Sequence, residues 1–458
     1  MADASLDPAL LGVWRLSKRA PAPPAPPPAA PAPKSLAQRI RDAVDPEPPH
    51  MRVLSIVHAG GGGTILTNED LMRALTPACT CFILACGPDK WVFSDVADTI
   101  ERLEEIKFAE TWKGGAPLAD DRVAASADLL ARHKFDVVHV RSLLGSGPEL
   151  LTALKAAGVP VVLSFHDFTA ICPTINLLDA DLTFCGGVCT AGEADCAAPQ
   201  KWFSDIARLK GAYVHTWRAR MAAGFEAVDA FVTTSASAAG LLTRHFPRLS
   251  GRIEIIEHGR DVEPVEAAAP PPEEGPMRVV VLGVIGAAKG RALVEHLVRR
   301  NAAEGAPLEF HLLGGLTPPL AELPGVIAHG PYAREDLPVR LEDIAPSVSL
   351  IPSIWPETYS HTLTESWAAG IPVLAGDMGA LAERIRRHGG GWLADPRDHN
   401  LWWSHLIALK DDPRSWAWGA RQVARLREHG TARMARRYRR LYATAQAKLR
   451  LGRPQQTI

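Results

Sequence analysis

Features of the secreted, membrane and nucleic-acid-binding classes are scarce. There are seven cysteines in 458 residues, too few to staple a secreted fold. No apolar run approaches the roughly 18 residues that a membrane span needs. The short apolar stretch from Ala9 to Trp14 lacks the length and the basic leader of a signal peptide. Excess charge is also missing. Lys and Arg number 50 and Asp and Glu 51, a net charge of −1, whereas a general nucleic-acid binder carries a basic excess. These absences predict a cytoplasmic chain with no nucleic-acid partner. What remains is a globular mixture, 47% hydrophobic and 22% charged, long enough for two or three domains.

Residues 21–33 contain only Pro and Ala. Proline fixes φ and removes donors, so this stretch reads as an extended, solvated tether. Residues 1–50 are therefore read as a disordered Pro/Ala-rich tail; a ligand for a proline-recognition module is the alternative reading. Order begins at Met51. The apolar run Met51–Val57 leads into Gly60–Gly63 and then a helical stretch, Asn68 to Leu75. Strand, glycine loop and helix in succession open a nucleotide-type βα unit. The same opening recurs at Met277–Leu282, followed by Gly283, Gly286 and Gly290. Between the two starts, residues 267–276 read AAAPPPEEGP, the composition of a linker. Each half continues with short β-branched runs between helical segments, the pattern of parallel sheets covered on both faces. The expected fold is α/β, with Rossmann-like doubly wound domains at 51–266 and 277–425 facing a central cleft, and a basic C-terminal helix and tail at 426–458.

The most informative segment runs from Pro352 to Pro372, PSIWPETYSHTLTESWAAGIP. A strand ends near Pro352 and a helix starts within Thr358–Thr362, where hydroxyls can cap free amides. Gly370 and Pro372 stop it. The helix start is a seat for a phosphate, because its unpaired N–H groups carry partial positive charge. Glu357 lies just before that seat and Glu365 lies within the helix, about two turns on from Glu357. Two carboxylates beside an anion make sense if each holds sugar hydroxyls while the amides hold phosphate. Taken singly, each Glu reads as an ordinary surface or helix residue.

Glu-x7-Glu after a strand, followed by AlaAlaGlyIlePro, resembles the signature of retaining, nucleotide-sugar-dependent glycosyltransferases of family 4, which have the GT-B fold. The resemblance covers roughly residues 51–440. It also includes Gly283 to Gly290, SerPheHisAsp at 164–167 and GluHisGlyArgAsp at 257–261. It implies that Glu357 contacts the donor sugar and that Glu365 holds the ribose hydroxyls. Lys289 would bind the diphosphate, in a loop that includes Gly286, and His166 would face the donor at the reaction centre. Gly61 and Gly62 would let backbone approach the diphosphate, and the amides of Tyr359, Ser360, His361 and Thr362 would bind its distal phosphate. There are two departures. Val284 stands where the family usually has Arg, with Arg260 and Arg141 as candidate substitutes, and Ser360 stands near a usual Gly.

Cleaving a sugar–phosphate bond leaves negative charge on the nucleoside diphosphate, which cations and amide dipoles stabilise in the transition state. Lys289 and the helix start supply both, so no cofactor and no metal is expected, and no Asp-x-Asp stands at a strand end. The nucleotide-diphosphate sugar is the donor substrate; the acceptor is a glycan, a lipid-linked species or a small molecule. His166 has a second reading as a satisfied core histidine. Cys172, Cys185, Cys189 and Cys196 read as free thiols in an irregular loop, with a structural zinc as the alternative. Cys79, Cys81 and Cys86 read as core. Residues 421–453 carry eleven Lys or Arg and one Glu. This amphipathic basic helix is expected to pack on the first domain and to offer a basic face to the inner face of a membrane. Two other functions fit less of the pattern: a non-catalytic nucleotide-sugar or glycan binder on the same fold, and a sugar-nucleotide epimerase.

Overall fold

The computed structural model describes residues 48–189, 195–315, 323–426 and 430–452. The expected N-terminal tail, up to residue 47, and the last six residues of the expected C-terminal tail lie outside them. Among the described residues, eight strands form the first sheet: β1 (Met51–His58), β2 (Cys79–Cys86), β3 (Lys90–Val96), β4 (Ile100–Lys107), β5 (Val137–Val140), β6 (Val161–Phe165), β7 (Ala230–Thr233) and β8 (Ile253–Ile255). Their order is β4-β3-β2-β1-β5-β6-β7-β8. Six form the second: β9 (Met277–Leu282), β10 (Leu308–Leu313), β11 (Val326–Gly330), β12 (Val348–Ile351), β13 (Val373–Gly376) and β14 (Gly391–Ala394). Their order is β11-β10-β9-β12-β13-β14, all parallel. Strand order reverses beside β1 and beside β9, and ligands of open α/β sheets bind outside the carboxyl ends at such points.

The first domain's helices are α1 (Gly63–Leu75), α2 (Asp120–His133), α3 (Glu149–Ala156), α4 (Gln200–Phe203), α5 (Ala212–Phe225) and α6 (Ala236–His245). The second domain has α7 (Arg291–Ala303), α8 (Leu337–Ile344), α9 (His361–Ala368), α10 (Gly379–His388), α11 (His399–Asp411) and α12 (Pro413–Val423). Alternation along the central strands feeds two cores per sheet. On β1, Met51, Val53 and Val57 pack with Leu71 and Met72 of α1, while Leu54 and Ile56 join Leu129 of α2 and Leu150 of α3. On β9, Val279 and Val281 meet Leu293 and Leu297 of α7, while Val280 and Leu282 meet Leu337 and Leu341 of α8. Cys79, Cys81 and Cys86 of β2 are buried.

The first sheet is not wholly parallel: β3 and β4 pair antiparallel at its edge. β4 reads IERLEEIK and none of its residues is buried, so no apolar run announces it; an edge strand with one face in water needs none. α1 also starts earlier than its apolar pattern, at Gly63 inside the glycine loop.

A last helix, α13 (Thr431–Gly452), leaves the second domain and packs on the first. Met434, Ala435, Tyr438, Tyr442 and Ala445 are buried against β1, β2 and α1. The Tyr442 hydroxyl lies 2.7 Å from Nδ1 of buried His139, whose Nε2 lies 2.6 Å from Ser164 Oγ. The segment 257–261 ties this crossing down. Asp261 accepts from the Thr431 amide at 3.0 Å, and a Cβ on Gly259 would stand 2.3 Å from the Gly430 carbonyl. Across the cleft, Thr234 Oγ1 donates to the Thr358 carbonyl (2.6 Å) and Thr358 Oγ1 to that of His166 (2.9 Å). Arg334 makes two contacts with Asp70 of α1, at 2.8 and 3.1 Å.

Tyr442→Phe leaves His139 Nδ1 unpaired in the core and should cost about 1–3 kcal/mol in urea unfolding. Tyr438→Phe, which loses only a 3.4 Å contact to Ser164, should cost less.

Candidate active site

Two helix starts meet in the cleft. The chain leaves β1, passes Gly60–Gly63 and enters α1, where Gly62 has φ 119° and no side chain caps the first turn. In the second domain it leaves β12, passes Pro352–Ser360 and enters α9, again with no side-chain cap. The expected capping by hydroxyls is not seen. Ser360 has φ 78°, and its hydroxyl lies 3.1 Å from Thr362 Oγ1 rather than on an amide. A Cβ on Gly63 would stand 3.5 Å from Cδ2 of His361, so the two starts face each other. Each adds partial positive charge from uncapped amides. Arg384 of α10 holds the second one in shape. It donates to the carbonyls of Tyr359 (3.3 Å) and Ser360 (3.0 Å) and to Thr364 Oγ1 (2.8 Å).

The loop after β9 lies against this start. A Cβ on Gly283 would be 3.6 Å from Thr362 Cγ2, and one on Gly290 only 1.8 Å from the Pro352 carbonyl. Gly290 is therefore required for the loop to close on β12. The loop carries Lys289, whose Nζ donates to Oε1 of buried Glu357 at 2.7 Å. Ser353 Oγ donates to the same oxygen. Gly286 is exposed, with nothing within 4 Å of a Cβ built on it. Val284, at the position where the resemblance expects Arg, is 73% exposed. Glu365, buried one turn into α9, is ion-paired with buried Arg260. Burial pushes its carboxyl up, and Arg260 and Arg334 partly offset that.

Histidines form the cleft's other feature. The rings of His166 and His258 stack at 5.0 Å, and those of His258 and His361 at 5.4 Å. Among the described residues, both nitrogens of His166 and Nδ1 of His258 and of His361 are buried without hydrogen-bond partners. His166 is thus not a core histidine satisfied by the described residues. Burial drives all three imidazoles well below their ordinary pKa, and Arg141 adds to this for His166 and His258. The Tyr359 hydroxyl donates to the His258 carbonyl at 2.9 Å. Gly61 and Gly62 follow β1, His166 follows β6, Gly286 and Lys289 follow β9, and Glu357 and the 359–362 segment follow β12, all beyond the carboxyl ends of their strands, with Glu365 in α9. The structure pairs Lys289 with Glu357 and stacks His166 and His361 on His258, and Gly61, Gly62 and Gly286 have open space around them. Sequence reasoning missed the stacked column, the grip of Arg384 and the Asp70–Arg334 pair. Of these, only the motif 257–261 could have signalled one, through His258.

The four loop cysteines are free thiols against one hydrophobic cluster. Cys185 Sγ donates to the Leu177 carbonyl at 3.2 Å, Cys189 accepts from the Gly211 amide at 3.4 Å, and burial pushes the Cys172 thiol up to about 11. Among the described residues no three His, Cys, Asp or Glu side chains are grouped to hold a metal. The Asp179-Ala180-Asp181 stretch lies in a turn, where Asp179 accepts from the amides of Asp181 and Thr183.

Residues 61–264 match the family model described as Glycosyltransferase Family 4, and residues 324–430 that described as Glycosyl transferases group 1. No curated protein matches the chain. Among solved structures, the chain is similar to a sucrose-phosphate synthase from Thermosynechococcus elongatus at 18% identity and TM-score 0.60, covering 87% of this chain and 99% of that one. It is similar to Anabaena Alr3699/HepE in complex with UDP and glucose at 13% identity and TM-score 0.57, covering 86% and 99%. The catalytic domain of starch synthase IV from Arabidopsis thaliana, bound to ADP and acarbose, gives 13% and 0.53, covering 88% and 100%.

The neutral histidines make stability depend on pH. Below about 6.5 the unfolded chain takes up protons that His139, His166, His258 and His361 refuse in the fold. Stability should therefore fall with pH below that value, by up to about 1.4 kcal/mol per unit for each. Melting temperature between pH 7 and 5 should fall less steeply in His258→Asn; an unchanged slope would mean that His258 is protonated in the fold.

Proposed function

We propose that this chain, a glycosyltransferase of the GT-B fold, moves a sugar from a nucleotide-diphosphate sugar to a glycan, lipid-linked or small-molecule acceptor with retention at the anomeric carbon. The observation that carries the reading is the pairing of an uncapped α9 start with the Lys289–Glu357 couple across a cleft from the Gly60–Gly63 loop. In this reading the 359–362 amides and Lys289 take the diphosphate, Glu357 the sugar and Glu365 the pentose. His166 borders the reacting carbon.

As the sugar–phosphate bond lengthens, electrons move to the leaving diphosphate. Fixed amide dipoles and the Lys289 ammonium are worth more there than in the ground state. They supply the charge stabilisation that a divalent ion would, which supports transfer without a metal. No nucleophile–base pair is needed if the leaving phosphate takes the acceptor's proton on the face it has just left. This front-face course retains configuration. The neighbours in complex with UDP or ADP support a nucleotide-linked donor.

The exposed side of α13 carries Arg433, Arg436 and Lys448, with Arg437 half-buried. It is proposed as a face for an anionic membrane surface, which suits a lipid-linked acceptor at the inner face of the membrane. A non-catalytic binding role remains the second reading, favoured by Val284 alone.

Lys289→Ala and Glu365→Ala should each lower transfer at least 100-fold with circular dichroism unchanged, read by anomeric NMR of the product; normal transfer by both would remove the site assignment. Activity should survive EDTA. Reversing Arg433, Arg436 and Lys448 to Glu should release the protein from vesicles with 30% anionic lipid, and equal flotation would remove the membrane face.

A further inference from the structure

The partner of Glu365 is unusual for a carboxylate assigned to neutral hydroxyls. Arg260 comes from the segment joining the domains, between β8 and β9, and its side chain is 5% exposed. One guanidinium nitrogen pairs with Glu365. Its Nε is buried with no partner among the described residues. Its charge also acts on His361. His361 and Glu365 are four residues apart in α9 and share a face of its first turns. The guanidinium therefore lies along the turn whose free amides form the proposed phosphate seat.

An ion pair buried this deeply gains little over an apolar pair, because both charges have left water. Half of this pair also leaves a donor unspent, and an unspent buried donor carries a cost of its own. Both facts are accounted for if the pair exchanges partners. A nucleoside diphosphate brings an anion and a pair of hydroxyls to the same turn. Arg260 then trades a carboxylate for phosphate oxygens, a fork-shaped match. Glu365 trades a guanidinium for hydroxyl donors. Every charge keeps a partner through the exchange.

We propose that Arg260 is a donor-binding residue, the second cation of the diphosphate seat, and that it clasps Glu365 until the diphosphate draws it away. This rests on the reading of the cleft as a nucleoside-diphosphate site and adds to it a residue outside the glycine loops. Val284 contributes no charge from the loop, so the cation comes instead from the inter-domain segment.

The test is ligand-observed NMR titration with UDP, ADP and GDP and with uridine, adenosine and guanosine. Wild type should bind at least one diphosphate. Arg260→Gln should weaken that diphosphate at least tenfold while the matching nucleoside binds as well or better, since Glu365 is released. Arg260→Lys should recover part of the loss. The double variant Arg260→Gln with Glu365→Gln replaces the pair by neutral hydrogen-bonding groups and leaves no buried charge unpaired, so folding is kept. It should lose diphosphate affinity relative to Glu365→Gln alone. An equal loss for diphosphate and nucleoside would mean that Arg260 only shapes the pocket, and no loss would mean that it does not touch phosphate; either overturns the proposal. Failure of wild type to bind any of the three diphosphates would overturn the cleft reading itself, and this proposal with it.

Discussion

The backbone at Ser360 fixes the geometry of the cleft. A non-glycine residue at positive φ costs on the order of 1 kcal/mol or more. Here Arg384 spans the carbonyls of Tyr359 and Ser360 and the Thr364 hydroxyl, and charge-assisted hydrogen bonds of this kind offset such a cost. The strained turn aims the start of α9 at the first domain and leaves its amides uncapped. Without it, neither the Gly63–His361 approach nor the stacking of His361 on His258 would follow. Strain in one residue is thus held by three bonds from a neighbouring helix, and the phosphate seat rests on that balance.

The segment 257–261 shows how much can be placed on five residues between domains. Glu257 meets Arg387 of α10. His258 stacks between a ring from each domain. Gly259 makes room for Gly430, Arg260 reaches Glu365, and Asp261 holds the first amide of α13. Each contact joins parts of the chain some ninety or more residues apart. The sequence marks this motif through a resemblance, but none of its contacts can be read from the five residues themselves.

The two Rossmann-like domains were legible because their signals are local. A β-branched run, a glycine loop and a helix sit within thirty residues, at Met51 and again at Met277. The Glu357 and Glu365 spacing was legible for the same reason. What escaped the sequence depended on distant partners. The edge strand β4 escaped because pairing, not apolar pattern, makes it a strand. The ring column escaped because His166, His258 and His361 come from three separate segments, two loops and the start of α9. The missing hydroxyl cap at α9 escaped because side-chain capping presumes an ordinary backbone at Ser360. The pairing of Lys289 with Glu357 brings together two residues whose roles were assigned separately from resemblance, and only the fold puts them 2.7 Å apart.

The return of α13 to the first domain has a consequence for how the molecule is made. Met434, Tyr438 and Tyr442 complete a core whose other walls, β1 and α1, are synthesised some 360 residues earlier. Contacts of such separation form late. On the ribosome, the amino-terminal lobe emerges first, yet one flank of its sheet stays bare until the carboxyl-terminal lobe has been translated. During that interval His139 and Ser164 are open to water, and the half-built lobe presents a greasy trough of the kind chaperones hold. The lobe that begins the chain is the one whose folding ends last.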